Sequence, residues 1–166
     1  MKIVAIDPGT TQSAMVIMDA VTLRPLEMHK LPNDDLQMYI KCMRFEDTDR
    51  AVIEMLQSYG QLIGRDVLET AVWIGRFYET LKRKLYYPPD YVYRMEEKIH
   101  ICHDSKAKDS NIRRALIDRF CTHDLKNGKG TKDNPDWFTG FKADMWAAYA
   151  VGLTYVETKL KGELRK

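Results

Sequence analysis

Three carboxylates stand where the chain passes between apolar and polar stretches. Asp7 closes the run Met1–Ile6, Glu54 lies inside Ala51-Val52-Ile53-Glu54-Met55, and Asp144 opens the apolar stretch after Lys142-Ala143. A carboxylate within a run such as AVIEM is costly to bury unless it is paired, hydrogen-bonded or bound to a cation. If the strands carrying Asp7 and Glu54 are parallel neighbours, their side chains converge, and like charges that close call for a metal ion. Oxygen donors favour Mg²⁺ or Mn²⁺. Each residue also has an ordinary role open to it. Asp7 before Pro8-Gly9 can form a turn, Asp144 can cap a helix, and Glu54 can face solvent from an edge strand. Only the trio together favours chemistry.

Cys102-His103 and Cys121-Thr122-His123 bring soft donors together but lack the two-residue gap usual in zinc sites, so burial of the thiols is the expectation. The three cysteines are widely spaced and no apolar leader precedes them, which predicts reduced thiols in a cytoplasm. No stretch approaches the length of a membrane span.

The elements that must position the carboxylates follow from periodicity. Met1–Ile6 reads as a buried strand, Ser13–Met18 as its hairpin partner, and Pro25–Leu31 as a third, edge strand because of its leading proline. Asn33 or Asp34 can cap a helix to Met43. Arg50–Met55 then returns as a strand parallel to the first. Asp66–Lys84 carries apolar residues at helix spacing and stops before Pro88-Pro89. Tyr91–Met95 reads as a strand, with Lys98–Cys102 extending or following it, and Lys108–Phe120 as a helix with a basic face. Lys126–Gly140 is a loop, and Asp144–Lys161 is a helix whose small residues Ala147, Ala148, Ala150 and Gly152 permit close packing. The order predicts an α/β domain with a mixed sheet covered on both faces.

Composition agrees with one domain. The chain has 166 residues, 45% of them hydrophobic and 30% charged, enough for a single core but too short for two lobes that clasp a ligand. Residues 1–60 hold 6 Lys/Arg against 9 Asp/Glu, and residues 61–166 hold 20 against 15, so acid gathers in front and base behind. Such a split suits carboxylate chemistry beside an anionic polymer, although a mixed solvated surface accounts for it nearly as well.

Ile3-Val4-Ala5-Ile6-Asp7-Pro8-Gly9-Thr10, Val52-Ile53-Glu54 and Lys142-Ala143-Asp144-Met145-Trp146-Ala147-Ala148-Tyr149-Ala150-Val151 together resemble the RuvC family of Holliday junction resolvases. Ala71-Val72-Trp73-Ile74-Gly75-Arg76-Phe77 and Gly130-Thr131-Lys132-Asp133-Asn134-Pro135 look like its compact phage-encoded branch. The similarity spans nearly the whole chain in the expected order. The resemblance implies an RNase H-like fold, a homodimer in the host cytoplasm, and metal-dependent cleavage of branched DNA: four-way junctions, forks and flaps. Asp7 would bridge two ions, Glu54 would hold one, and Asp144 would complete the site from the last helix. Two ions about 4 Å apart activate a water and stabilise the leaving oxygen.

Two features depart from the family pattern. A second ligand three residues from Asp144 is missing, since Phe141 and Ala147 stand there, leaving Asp133, Asp136 or water as substitutes. The junction-stacking aromatic three residues after the glutamate is replaced by Gln57, with Tyr59 a possible stand-in. For DNA contact the resemblance singles out Lys106, Lys108 and Lys142 beside the site, with Arg113, Arg114 and Lys132 further along the basic half. The helix over 66–84 either pairs with its copy in a twofold dimer or packs inward. Two other readings remain open. Ile6-Asp7-Pro8-Gly9-Thr10-Thr11 also looks like the first phosphate loop of actin-like ATPases, which need a second lobe. A branched-DNA-binding module without catalysis would keep the trio only as turn and cap residues.

Overall fold

The computed structural model describes residues 1–57, 60 and 62–164. Its spine is Ile3–Ile6, four consecutive side chains that are all fully buried. A strand without polar alternation needs cover on both faces. β1 (Lys2–Asp7) accordingly lies centrally, antiparallel to β2 (Gln12–Asp19). β3 (Pro25–Pro32), largely accessible and bounded by prolines, forms one edge of the sheet. On the other side of β1 runs β4 (Arg50–Met55), parallel to it, followed by β5 (Asp90–Tyr93), parallel to β4. The order β3-β2-β1-β4-β5 is the expected five-stranded mixed sheet, three antiparallel strands and then two parallel additions.

Side-chain alternation divides the core into two layers. Val4, Ile6, Met15, Ile17, Ala51 and Ile53 pack under α1 (Asn33–Cys42) and α2 (Arg65–Lys82). Ile3, Ala5, Val16, Met18, Val52 and Val92 face the opposite layer, where α3 (Arg94–Cys102), α4 (Asp109–Phe120) and α5 (Met145–Tyr155) lie. Nearly every residue of α5 is buried. A helix apolar on all sides belongs inside a core. Its closeness to the sheet depends on Gly152, where a Cβ would stand 2.7 Å from Met18 Sδ and 3.0 Å from Ala5 Cβ.

After Tyr155 the helix widens into a π turn (Val156–Leu160) before α6 (Lys161–Leu164). Glu157 in that turn has only 6% of its side chain accessible. It accepts hydrogen bonds from Arg119 at 2.6 and 2.8 Å and from Lys161 at 2.8 Å, and it pairs with His100 at 2.8 Å, tying α3 and α4 to the C-terminal helix. Arg119 above all, with Lys161 and His100, holds this carboxyl well below the usual glutamate range. A folded-state value below the unfolded one gives stability that is complete above the ordinary titration range and lost as pH falls below about 4. Glu157→Gln should lower stability at pH 7 by about 2 kcal/mol, since three donors would face a neutral amide and Arg119 is partly exposed. It should also flatten the acid limb of the melting curve, which thermal melts between pH 3 and 7 will read.

One segment differs from its sequence reading. β5 ends at Tyr93, and Arg94–Cys102 is a helix rather than a strand extension. The Glu96 carboxylate accepts the Tyr93 backbone N–H at 2.7 Å, and Arg94 pairs with Glu97 three residues on. Both contacts need a helical turn.

Candidate functional site

Register places the first two carboxylates together. Ile6 pairs with Ile53 across parallel strands, so Asp7 and Glu54, each the next residue, stand side by side at the carboxyl ends of β1 and β4. Asp7 continues the Ile3–Ala5 row and Glu54 the Val52 row, so both project toward the layer that contains α3 and α5. Crevices outside the carboxyl ends of parallel strands are the usual ligand sites of α/β sheets. Glu54 is therefore not on an edge strand.

The turn after Asp7 is fixed by a buried network. Asn33 Nδ2 donates to the carbonyls of Gly9 and Thr10 at 2.9 and 3.1 Å, Ser13 Oγ donates to Asn33 Oδ1 at 2.6 Å, and the Gly9 N–H donates to Ser13 Oγ at 3.1 Å. Asn33 thus braces the β1–β2 turn, and no side-chain hydrogen bond caps α1. A Cβ on Gly9 would meet the Gln12 carbonyl oxygen at 2.4 Å, so only glycine fits there. Asn33→Ala should cost about 2–3 kcal/mol, because buried donors and acceptors lose their partners. Chemical denaturation will measure it.

Asp7 and Glu54 are hydrogen-bonded carboxyl to carboxyl. Burial first, then the charge of Glu54 and that hydrogen bond, then Asp144 and Glu97, push the Asp7 carboxyl well above the usual range. Asp144 approaches from the start of α5. Its side chain caps nothing and instead forms an ion pair with Lys30, so the helix-cap alternative does not hold. Lys30 reaches it because Asp7, Ala14 and Lys30 are paired in a row across β1, β2 and β3 and share one face. The residue before Asp144, Ala143, turns through φ +39°.

Sequence reasoning missed two further charged groups. Glu97, with no accessible surface, accepts a hydrogen bond from Arg94 at 2.6 Å, while its Oε1 has no partner. Arg94 also pairs with Asp109 at the start of α4. The signal was the i,i+3 spacing of Arg94 and Glu97, visible once the segment is read as helix.

Asp7, Glu54 and Arg94 line a cleft of about 400 Å³ together with Thr70 and Ile74 of α2 and Lys98 of α3. It brings the carboxylates of Asp7 and Glu54 together with the cationic Arg94 and Lys98, and the paired carboxylates are oxygen donors of the kind a hard divalent cation takes. Among the described residues no three or more His, Cys, Asp or Glu side chains are gathered so as to hold a metal ion; Lys30 pairs with Asp144 and Arg94 with Glu97.

The remaining sequence candidates do not line this cleft. Lys142 is exposed two residues before Asp144. Lys106 and Lys108 are exposed just before α4, whose first residue, Asp109, pairs with Arg94. Arg113 lies over the Trp146 ring at 4.6 Å. Arg114 is occupied by Asp118 and by the Leu125 carbonyl at 2.7 Å, and so anchors the following loop. Lys132 and Asp133 stand at that loop's exposed tip, between the bridged Gly130 and Pro135. Asp136 is no substitute ligand. It accepts the backbone N–H groups of Thr122, His123, Asp124 and Trp137, which hold it well below the usual range despite its burial. Tyr59 lies outside the described residues. Among those residues no helix is long and apolar enough to cross a membrane.

No protein-family model and no curated protein sequence matches the chain. Solved structures do. The chain is similar to RuvC of Thermus thermophilus, at a TM-score of 0.65 and 15% identity over 98% of this chain and 97% of that one. It is likewise similar to T. thermophilus RuvC in complex with a Holliday junction substrate, at a TM-score of 0.63 and 14% identity over 98% and 96% of the two chains. The fold is the RNase H-like fold of RuvC.

Proposed function

We propose that this chain is a single nuclease domain that resolves Holliday junctions and other branched DNA by metal-dependent phosphodiester hydrolysis. The observation that carries the reading is the adjacent carboxylate pair Asp7–Glu54 at the carboxyl ends of two parallel strands, in a fold shared with a protein solved on a junction. Asp7, Glu54 and Asp144 would hold Mg²⁺ or Mn²⁺, two ions per site. When bound, the ions supply Lewis acidity at the phosphate and a nucleophilic water at neutral pH.

The protein's own residues have the remaining tasks. Asp7 and Glu54 would offer their carboxylate oxygens to the cations, and Asp144 would do so on parting from Lys30. Lys30, released, faces the approaching phosphate. Lys106, Lys108 and Lys142 would bind flanking phosphates, Arg113 and Lys132 would extend that track, and Tyr59 is the candidate stacking residue.

Beyond its inward packing, α2 is the dimer element of this reading. Ile74 and Phe77 are buried in the chain's own core, while Leu68 and Val72, more than half exposed, form an apolar row for a second copy. A twofold dimer sets two clefts against the two symmetric strands of a junction. On the resemblance of its motifs to the phage-encoded branch, the proposed place of action is a host cytoplasm.

Incubation with end-labelled four-way junction, flap and linear duplex, with and without Mg²⁺, tests the reading. Paired symmetric nicks in the junction, dependent on the ion, are expected. Tight junction binding with no cut in Mg²⁺ or Mn²⁺ would leave a binding module in its place.

A further inference from the structure

We infer that Arg94 is a phosphate-binding residue for the DNA strand that enters the cleft, with Glu97 as its positioning residue and Asp109 as a placeholder that the phosphate displaces; the inference rests on the nuclease reading above. Arg94 lines the cleft beside Asp7 and Glu54. Its guanidinium is shared between two carboxylates of opposite exposure. Nη1 donates at 2.6 Å to Oε2 of Glu97, whose side chain is 0% exposed, while Nη2 pairs with Oδ1 of Asp109, whose side chain is 86% exposed. A pair built only for stability would be expected to engage both Glu97 oxygens through the guanidinium fork, yet Glu97 Oε1 has no partner. The fork is turned instead, so that one nitrogen is anchored inside and the other faces outward.

The two ends differ in how readily they let go. Parting Arg94 from Glu97 would strand a buried carboxylate, a loss of about 3–5 kcal/mol by the general cost of breaking a buried pair. The Asp109 end is an exposed ion pair, worth about 0–1 kcal/mol and weakened further by salt. An anion that meets Nη2 therefore displaces Asp109 and leaves Arg94 fixed on Glu97. A phosphate oxygen suits this position, because it offers the guanidinium the same charge and the same acceptor as the carboxylate it replaces. The neighbouring sequence points the same way. Lys106 and Lys108, both exposed, stand just before Asp109 in the chain, so the acid that guards Arg94 follows directly on two cations that can draw in a phosphate. Without DNA, Asp109 keeps the outward nitrogen occupied; with DNA, it is released to solvent.

Junction binding by the full chain in EDTA, followed by fluorescence anisotropy of a labelled four-way junction, tests this. Asp109→Asn should tighten binding at least about threefold, because the phosphate no longer competes with a charge. Arg94→Lys should weaken it at least about fivefold, because lysine's single ammonium is spent on Glu97 and cannot also reach a phosphate. In the double variant Arg94→Lys/Asp109→Asn the gain from Asp109→Asn should vanish. A gain that persists there would mark Asp109 as a general surface charge, and the inference fails. Should Arg94→Lys not fold, Asp104→Asn supplies the control, since Asp104 is an exposed acid near the same lysines. A gain equal to that of Asp109→Asn then overturns the inference, and a smaller one or none supports it. Wild-type binding that neither Asp109→Asn nor Arg94→Lys alters overturns the role of Arg94 alone, whereas no junction binding by the wild type, with or without Mg²⁺, overturns the nuclease reading itself.

Discussion

Asp7→Asn is expected to reduce junction cleavage at least about a thousandfold in saturating Mg²⁺, a loss of ~4 kcal/mol of transition-state stabilisation. The amide keeps the size and turn geometry of the aspartate but cannot give up a proton to admit a cation, so the change isolates charge from shape. Junction affinity should be equal or higher, because one fewer carboxylate repels the phosphates. Metal-free stability should also be equal or higher. The Asp7 carboxyl is held well above the usual range by burial and by Glu54, Asp144 and Glu97, so its ionised form destabilises the fold as pH rises, and a neutral amide relieves that penalty. Single-turnover cleavage with junction in excess of its Kd separates chemistry from binding. Cleavage within tenfold of wild type would end the proposed mechanism.

Phe138→Ala should be the most damaging change away from the carboxylates. The ring is fully buried and stands 4.6 Å from Trp146, 5.0 Å from Phe141 and 5.2 Å from Tyr149, edge-on or tilted to each. Truncation opens a cavity among large, rigid neighbours that cannot collapse into it, at a cost of about 3–5 kcal/mol. For a chain of this size that is a fall of roughly 10 °C in Tm. The same aromatic cluster anchors the approach to Asp144, since the Phe141 N–H donates to the Phe138 carbonyl three residues before it. Cleavage should fall at temperatures where the variant is still folded. A melting curve within 2 °C of wild type would show that the cluster is not packed as described.

How far the sequence foretold this arrangement depended on where each signal lay. Ile3–Ile6 and Arg50–Met55 were legible because unbroken apolar, β-branched runs bounded by turns have few alternatives, and the second strand matches its predicted bounds. Their parallel pairing then placed Asp7 and Glu54 together by side-chain parity alone. Glu97 was hidden because Tyr91-Val92-Tyr93 reads smoothly onward as strand, and the helix that starts at Arg94 depends on the Glu96 contact back to Tyr93. Lys30 was hidden for another reason. β3 was readable as an edge, but which of its faces carries Lys30 depends on register with β2, across an irregularity at Ile17/Met18. Arg94, the cation beside Glu54, comes from an element forty residues further along. Such partners are set by topology rather than by local spacing.

The tight seat of α5 on β1 bears on ion choice. Gly152 rests against Ala5, two residues upstream of Asp7 on the same strand, while Asp144 precedes the first turn of that helix. The thickness of an apolar interlayer therefore gauges how wide the carboxylate mouth can open. Oxygen ligands sit at about 2.0–2.1 Å from Mg²⁺ but 2.3–2.6 Å from Ca²⁺, a few tenths of an ångström apart. One methyl group at position 152 would wedge the layers by a comparable amount, so that in the proposed cation site discrimination by ionic radius would be built partly out of hydrocarbon.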